Sequence, residues 1–247
     1  MPNDFFQFKQ FRIRQDRCAL KVGTDGVLLG AWTDWSGAGR ILDIGTGTGL
    51  LALIAAQRTS PSLHDGGRSS TTRIDAVEID DAAAEQAAEN VAASPWADRI
   101  RVHRMDVRRL RASEPYDVVV CNPPFYAGEM DSPDARKGLA KHGGELSFAE
   151  LLDTVARLLA EEGRFSLIIP MDRKRDLLQE AERVGLHASR HCPVRYLASK
   201  PPKRVLLELR RTNNTPIEED GITVEEKGPF DYSAKYRALL SDLMLKF

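Results

Sequence analysis

The chain has 247 residues, 42% of them hydrophobic and 29% charged, enough apolar mass for one large core with small additions at its ends. Its 35 basic and 36 acidic residues leave a formal charge of −1, which excludes a globally basic nucleic-acid coat but permits a local basic patch. Three cysteines, Cys18, Cys121 and Cys192, odd in number and without metal-ligand spacing, argue against a disulfide framework and a zinc site and fit a reducing cytoplasm. No run of about 18 apolar residues is present to span a membrane, and Met1 to Phe11 lacks the apolar segment of a secretion leader.

In chain order, Phe5 to Lys21 alternates aromatic or aliphatic with polar side chains, a period-two pattern that predicts a hairpin. The turn Lys21 to Gly26 follows, with Thr24 or Asp25 placed to cap a helix through Val27 to Trp32. After Ser36-Gly37-Ala38-Gly39 a unit of short apolar strand, turn and longer helical stretch repeats. Arg40 to Ile44 enters Gly45-Thr46-Gly47-Thr48-Gly49 and a helix from Leu50 to Arg58; Ile74 to Ile79 leads to an Ala-rich helix from Asp81 to Ala93. Ile100 to Met105, Tyr116 to Cys121 and Arg164 to Ile169 are three further strands. Ser147 to Glu161, with apolar residues at Phe148, Leu151, Leu152, Val155, Leu158 and Leu159, reads as a helix capped by Ser147. Alternation of this kind predicts a parallel sheet covered on both faces, with ligands gathering at the carboxyl ends of its strands. Thr59 to Arg73, polar and almost free of apolar residues, reads as a flexible insertion. His187 to Pro193 and Arg204 to Arg210 look like two strands joined by a polar connection from Leu197 to Lys203. Seven Lys or Arg stand against one Glu between Arg190 and Arg211. Asp231 to Phe247 has the spacing of a helix docked on the core.

The most informative stretch is Cys121-Asn122-Pro123-Pro124-Phe125, at the end of a buried strand. Proline fixes φ near about −65° and lacks an N–H, so the Pro123 carbonyl has a set direction and no local donor competing for it. The Asn122 side-chain oxygen is a second acceptor, and Phe125 is a flat wall beside both. Two acceptors aimed at one amine take both of its hydrogens and expose its lone pair, which makes a planar NH2-bearing group nucleophilic without a general base.

Gly45-Thr46-Gly47-Thr48-Gly49 lacks the third glycine of a dinucleotide fingerprint, because Leu50 stands where it is required. An oxidoreductase is therefore disfavoured. The turn suits a cofactor with an amino-acid end: backbone amides at a helix N-terminus meet a carboxylate, and Asp43 offsets a positive charge. S-adenosylmethionine has that end, and its nucleoside end matches Glu78 as acceptor for the ribose hydroxyls and Asp106 as acceptor for the adenine amine.

Together Asp43 to Gly49, Glu78, Asp106 and Asn122 to Phe125 resemble the class I S-adenosylmethionine-dependent methyltransferases acting on amino groups, whose signature is (D/N/S)-P-P-(Y/F/W). Phe8 to Phe11, Asp16 to Trp32, Ser94 to Ala97, and Tyr232, Ser233 and Tyr236 are similar to the bacterial family that methylates the exocyclic amine of adenosine 37 in a valine tRNA. The resemblance covers nearly the whole chain. It implies a Rossmann-like α/β fold, a mostly parallel twisted sheet with helices on both faces and an antiparallel strand near the C-terminal edge. It also implies one methyltransferase domain over 1–247, comprising a hairpin and helix extension at 1–35, a cofactor-binding core at 36–211 and a C-terminal extension with a terminal helix at 212–247.

The implied cofactor-binding residues are Asp43, Gly45, Thr46, Gly47, Gly49, Glu78, Asp106 and Thr24, and the catalytic set is Asn122, Pro123, Pro124 and Phe125. Arg136, Lys137, Lys141 and His142, and Arg195, Lys200, Lys203 and Arg204, are candidates to hold a tRNA substrate; neither a metal nor a membrane is expected. Two departures stand out: Phe125 occupies a position that is commonly Tyr in that family, and the 59–73 insertion widens the gap between Asp43 and Glu78. Asn-Pro-Pro-Phe also resembles sites that serve a guanine amine of rRNA, as similar sites serve a glutamine amide of a translation factor. A non-catalytic RNA-binding module is the alternative of another class.

Overall fold

A computed structural model of the chain describes residues 4–18, 20–60, 72–123, 146–214 and 216–247. Pro124, Phe125, Arg136, Lys137, Lys141 and His142, all assigned roles from the sequence, lie outside the described residues, as does most of the 59–73 insertion. The short apolar runs form strands β3 (Arg40–Ile44), β4 (Arg73–Glu78), β5 (Ile100–Arg104), β6 (Tyr116–Cys121) and β7 (Leu159–Pro170). These five are mutually parallel. The run Val118-Val119-Val120-Cys121 is at most 2% exposed throughout. A continuous apolar strand of this kind is stable only when both faces are covered. Val118 and Val120 join one core layer and Val119 and Cys121 the other, as the two-residue period of a strand requires.

The first layer is supplied by α1 (Thr24–Trp32), α2 (Leu50–Arg58), α3 (Asp81–Ala92) and the short α6 (Ala234–Leu240). The second comes from α4 (Phe148–Leu158) and α5 (Lys174–Arg183). In α4, Leu151, Leu152, Val155 and Leu158 fall on one face and are 0–3% exposed. Full burial of such a side chain stabilises the fold by about 1.5–3 kcal/mol. Ser147 starts that helix with a capping box: its hydroxyl accepts from Glu150 N, and the Glu150 carboxylate accepts from Ser147 N.

Beyond β7 the sheet continues through β9 (Arg204–Arg210), antiparallel to β7, to β8 (His187–Leu197), which is antiparallel to β9. Two short strands, β10 (Ile217–Glu218) and β11 (Ile222–Glu225), pair in parallel with successive parts of β8. The order is β10-β8-β9-β7-β6-β3-β4-β5, with β11 on β8. From β3 the chain progresses outward to β4 and β5, then returns to place β6 on the other side of β3. This is the topological switch point of a doubly wound sheet, where a crevice opens beyond the carboxyl ends. A hairpin of β1 (Phe5–Gln7) and β2 (Arg12–Arg14) is clamped to α3 by two buried amides. Asn90 exchanges bonds with Arg14 N and O (2.8 and 2.9 Å) and donates to Thr48 O at 2.9 Å, while Gln86 accepts from Arg17 N at 2.9 Å.

Several expectations need correction. Neither Thr24 nor Asp25 caps α1: both lie inside the helix, its N-cap is Gly23, which has no side chain to offer, and Asp25 accepts from Tyr196 and Arg204. The helix begun at Ser147 stops at Leu158, and Leu159 and Glu161 already belong to β7. The terminal helix is α6 alone; Leu243 and Met244 are buried beyond its end. Neither α5 nor β11 was anticipated.

Candidate active site

Around the glycine turn, the amides of Gly45 and Thr46 both donate to Val77 O at 2.9 and 3.0 Å, which ties the end of β3 to β4. Gly45 and Gly47 adopt φ of 68° and 56°, and a Cβ built on either would meet nothing within 4 Å. The left-handed backbone favours glycine here, and the space above the turn is open. Asp43 is completely buried beneath it; its Oδ2 accepts from Thr46 Oγ1 at 2.5 Å and Ala52 N at 3.2 Å, and its Oδ1 has no partner among the described residues. Burial pushes this carboxyl up to about 7; the two hydrogen bonds oppose the rise and the nearby Glu78 charge adds to it. An open turn over a buried, half-partnered carboxylate fits a ligand end carrying a cation. The first turn of α2, N-capped by left-handed Gly49 with no side-chain bond, leaves amides for an anion.

The other two predicted acceptors are more occupied. Glu78 Oε1 accepts from Ile79 N (2.8 Å) and Asp80 N (3.0 Å), and Oε2 accepts from Gly47 N at 2.9 Å. With about four lone-pair sites on a carboxylate, this arrangement leaves room for one further donor rather than two ribose hydroxyls. Asp106 is held by Arg108 through Nε at 2.9 Å and Nη2 at 2.6 Å and also accepts from Arg108 N, so its carboxyl lies below the usual range. An adenine amine would share Asp106 with that guanidinium.

Asn122 and Pro123 follow β6 directly, are partly exposed, and line a cleft of roughly 380 Å³ together with Thr24, Gly26, Asp25, Tyr196 and Arg204. The first turn of α1 backs Asn122 closely: a Cβ on Gly26 would stand 3.5 Å from Asn122 Nδ2 and 3.0 Å from Leu50 Cδ2. The same cleft holds an interaction not anticipated from the sequence. Asp25 accepts from the Tyr196 hydroxyl and, at 2.9 Å, from Arg204 Nε, and burial together with that bond raises the Tyr196 phenol. Only the approach of β8 and β9 to α1 reveals it, since Asp25 is distant from both partners in sequence.

The structure thus brings Asn122, Pro123, Thr24 and Arg204 to one cleft, and Asp43, Thr46, Gly47 and Glu78 to one turn. The residues of that turn do not line the cleft, with Leu50 packed beside Gly26. The basic stretch is partly spent: Arg190 and Arg210 pair with Glu208, Arg204 with Asp25 and Arg211 with Glu161. Arg195, Lys200 and Lys203 make no ion pair among the described residues, and both lysines are exposed. No group of three or more His, Cys, Asp or Glu among the described residues is disposed to hold a metal, and none of the described helices is long and apolar enough to cross a membrane.

Comparison with known proteins gives the same picture. The family described as the methyltransferase small domain matches residues 23–170. A solved structure of a predicted O-methyltransferase from Agrobacterium tumefaciens superposes with a TM-score of 0.63 at 19% identity, covering 89% of this chain and 96% of that one, a likeness of fold. The tRNA1(Val) (adenine(37)-N6)-methyltransferase of Bacteroides thetaiotaomicron is 44% identical over 99% of both chains. The protein of that name in Tolumonas auensis is 44% identical over 100% of this chain and 99% of its own. At that identity over its whole length, this chain belongs to the tRNA1(Val) (adenine(37)-N6)-methyltransferase family, with a Rossmann-like class I fold and S-adenosylmethionine as its cofactor.

Proposed function

We propose that the protein methylates the exocyclic amine of adenosine 37 in a valine tRNA in the cytoplasm. The observation that supports this reading is Asn122, partly exposed at the end of β6 and opening with Pro123 onto the cleft, in a chain whose full-length relatives carry that activity in their names. The 36–211 core would hold the cofactor between the flanking segments 1–35 and 212–247. Asp43, Gly45, Thr46, Gly47, Gly49 and Thr24 would take its amino-acid end, and Glu78 and Asp106 its nucleoside end. S-adenosylmethionine supplies an electrophilic methyl group on a sulfonium.

The target adenine leaves its stack and enters the cleft. Its amine donates one hydrogen to Asn122 Oδ1 and the other to the Pro123 carbonyl, which turns the nitrogen lone pair out of the ring system. Phe125 is assigned from the sequence as the stacking wall, an interaction worth about 1–3 kcal/mol per base. Holding the two reactants in an attacking pose accounts for about 7–11 kcal/mol of barrier in favourable cases. Attack by the nitrogen on that methyl would leave a neutral thioether behind, and the proton that the nitrogen then carries in excess would pass to water. Asn122 and Pro123 therefore act by orientation and electrostatics rather than as bases.

Labelled cofactor, separate tRNA, rRNA and protein fractions, and mass spectrometry of the nucleosides test the reading, with N6-methyladenosine at position 37 as the expected product. Label in a guanine amine or a glutamine amide would replace the acceptor. Asn122→Ala is expected to lower kcat by about 100-fold or more while cofactor Kd stays within about twofold. Weakened cofactor binding with normal turnover at saturation would contradict the role given to Asn122.

A further inference from the structure

Beyond the cleft, the same edge of the sheet ends in an aromatic surface that the reaction does not use. Phe230 is 80% exposed and, among the described residues, is the one non-glycine residue with a positive φ, 69°. A left-handed backbone is unfavourable for a residue with a Cβ, and such outliers persist where the surroundings impose them. Here Phe230 N donates to Glu225 Oε1 at 2.9 Å, Asp231 N to Gly228 O at 3.1 Å and Lys227 N to Asp231 Oδ2 at 3.2 Å. The turn therefore lifts the ring away from the packed rings next to it. Tyr232 stacks on Tyr236 at 5.4 Å, whereas Phe230 meets Tyr232 only edge-on at 6.5 Å.

A cation accompanies this ring. Lys246 Nζ lies 4.3 Å from the Tyr232 centroid and 6.0 Å from that of Phe230, and donates to the Tyr232 hydroxyl at 2.6 Å. Glu225 and Asp231 accept from backbone amides of the turn, which ties both carboxylates into the turn itself. The patch is joined to the cleft through paired backbone. Glu225 pairs with Leu197, Ala198 N donates to Glu225 O at 2.9 Å, and the turn that follows carries Lys200 and Lys203 before reaching Arg204. Since β11 runs parallel to β8, and β8 in the direction of β7, Phe230 follows the sheet edge at which Asn122 lies.

We propose that Phe230 is a stacking platform for an unpaired base of the RNA strand flanking the nucleotide in the cleft, with Lys246 taking an adjacent phosphate. The proposal rests on the RNA-methylating reading above. An exposed flat ring, a cation beside it, and two lysines on the path to the cleft that make no ion pair among the described residues match alternating base and phosphate along a single strand. An apolar protein partner would not call for the cations.

The test uses the full chain with wild-type sequence and Phe230→Ala, Phe230→Tyr and Phe230→Gly, and an unmodified valine tRNA transcript. Loss of one stack is expected to weaken tRNA binding and raise its KM by about 5- to 150-fold in the Ala and Gly variants. Cofactor Kd and kcat should stay within about twofold in every variant, and Phe230→Tyr should restore binding because every aromatic face stacks. Phe230→Gly relieves the backbone, so its melting temperature should not fall, which separates lost stacking from lost folding. Equal tRNA affinity in wild type and Phe230→Ala, read by fluorescence anisotropy, overturns the platform, as does a loss shared by tRNA affinity, cofactor affinity and melting temperature. Unchanged affinity with altered sedimentation would make the patch a protein interface and equally overturn it. Wild-type binding without methylation would instead sink the assigned reaction, while the anisotropy comparison still decides the stack.

Discussion

Asp43→Asn sets the stability of the cofactor-free protein against its chemistry. The wild-type carboxyl is completely buried, one oxygen carries both of its hydrogen bonds, and burial raises it from 3.8 to about 7. Between about pH 4 and about pH 7 the folded protein therefore binds a proton at this site that the unfolded chain has already lost. With more protons bound in the folded state, stability falls as pH rises through that window and levels off above it. At about 1.4 kcal/mol per pH unit, the whole interval amounts to about 4 kcal/mol, an upper figure for a site that water can relax. Asparagine keeps an acceptor for Thr46 and Ala52 and replaces the unpartnered oxygen with an unpartnered NH2, which returns about 1–3 kcal/mol of the gain.

The variant is thus expected to be about 1–3 kcal/mol more stable than wild type at pH 8, with little difference at pH 5. Urea unfolding at pH 5 to 8, followed by fluorescence of the buried Trp32, Trp35 and Trp96, measures it, and the difference between the two proteins cancels every other titrating group. A wild-type minus variant difference that stays flat across that range, or a variant less stable at pH 8, would refute the reasoning. The same substitution removes a negative charge from beneath the glycine turn, so cofactor affinity should drop while the scaffold strengthens, a conflict expected where a site carries a cost in stability.

Gly26→Ala brings a methyl to 3.0 Å from Leu50 and 3.5 Å from Asn122, and should lower kcat by about 10-fold or more with a small loss in melting temperature. Unchanged kcat would mean that α1 does not position Asn122. Ser147→Ala removes the capping box of α4 and should cost about 1 kcal/mol of stability, seen in thermal unfolding, with cofactor Kd unaltered. Charge reversal at Lys200 and Lys203 should weaken tRNA binding and flatten its salt dependence by about one logarithmic unit for each phosphate that these lysines neutralise. An unaltered slope would withdraw that pair from the RNA surface.

The parts of the fold that were legible are those decided locally. Arg40–Ile44, Leu50–Arg58 and Tyr116–Cys121 carry patterns that only a doubly covered strand or a buried helix accommodates, and they stand at those boundaries. Helix α5 was missed because only Leu177 and Ala181, one turn apart, are buried in a segment otherwise dominated by charge. The end of α4 was misplaced because Leu158 and Leu159 continue its apolar spacing while the chain passes into β7 without an intervening turn. Strand β11 lies in an acidic stretch whose pairing with β8 is set by the rest of the sheet. In the site, Asn122 and Asp43 were evident as polar residues at strand ends. The partners of Asp25 were not, because a hydrogen bond between α1 and β8 leaves no mark on either sequence.

Asn90 binds the carbonyl of Thr48 with one side-chain hydrogen and that of Arg14 with the other. The amino-terminal hairpin is thereby a girder behind the glycine turn rather than an ornament added to a finished enzyme. Trimming the chain ahead of α1 would leave one arm of that amide dangling in the interior, and slack introduced so far from any reacting atom would surface as a loosened grip on the cofactor.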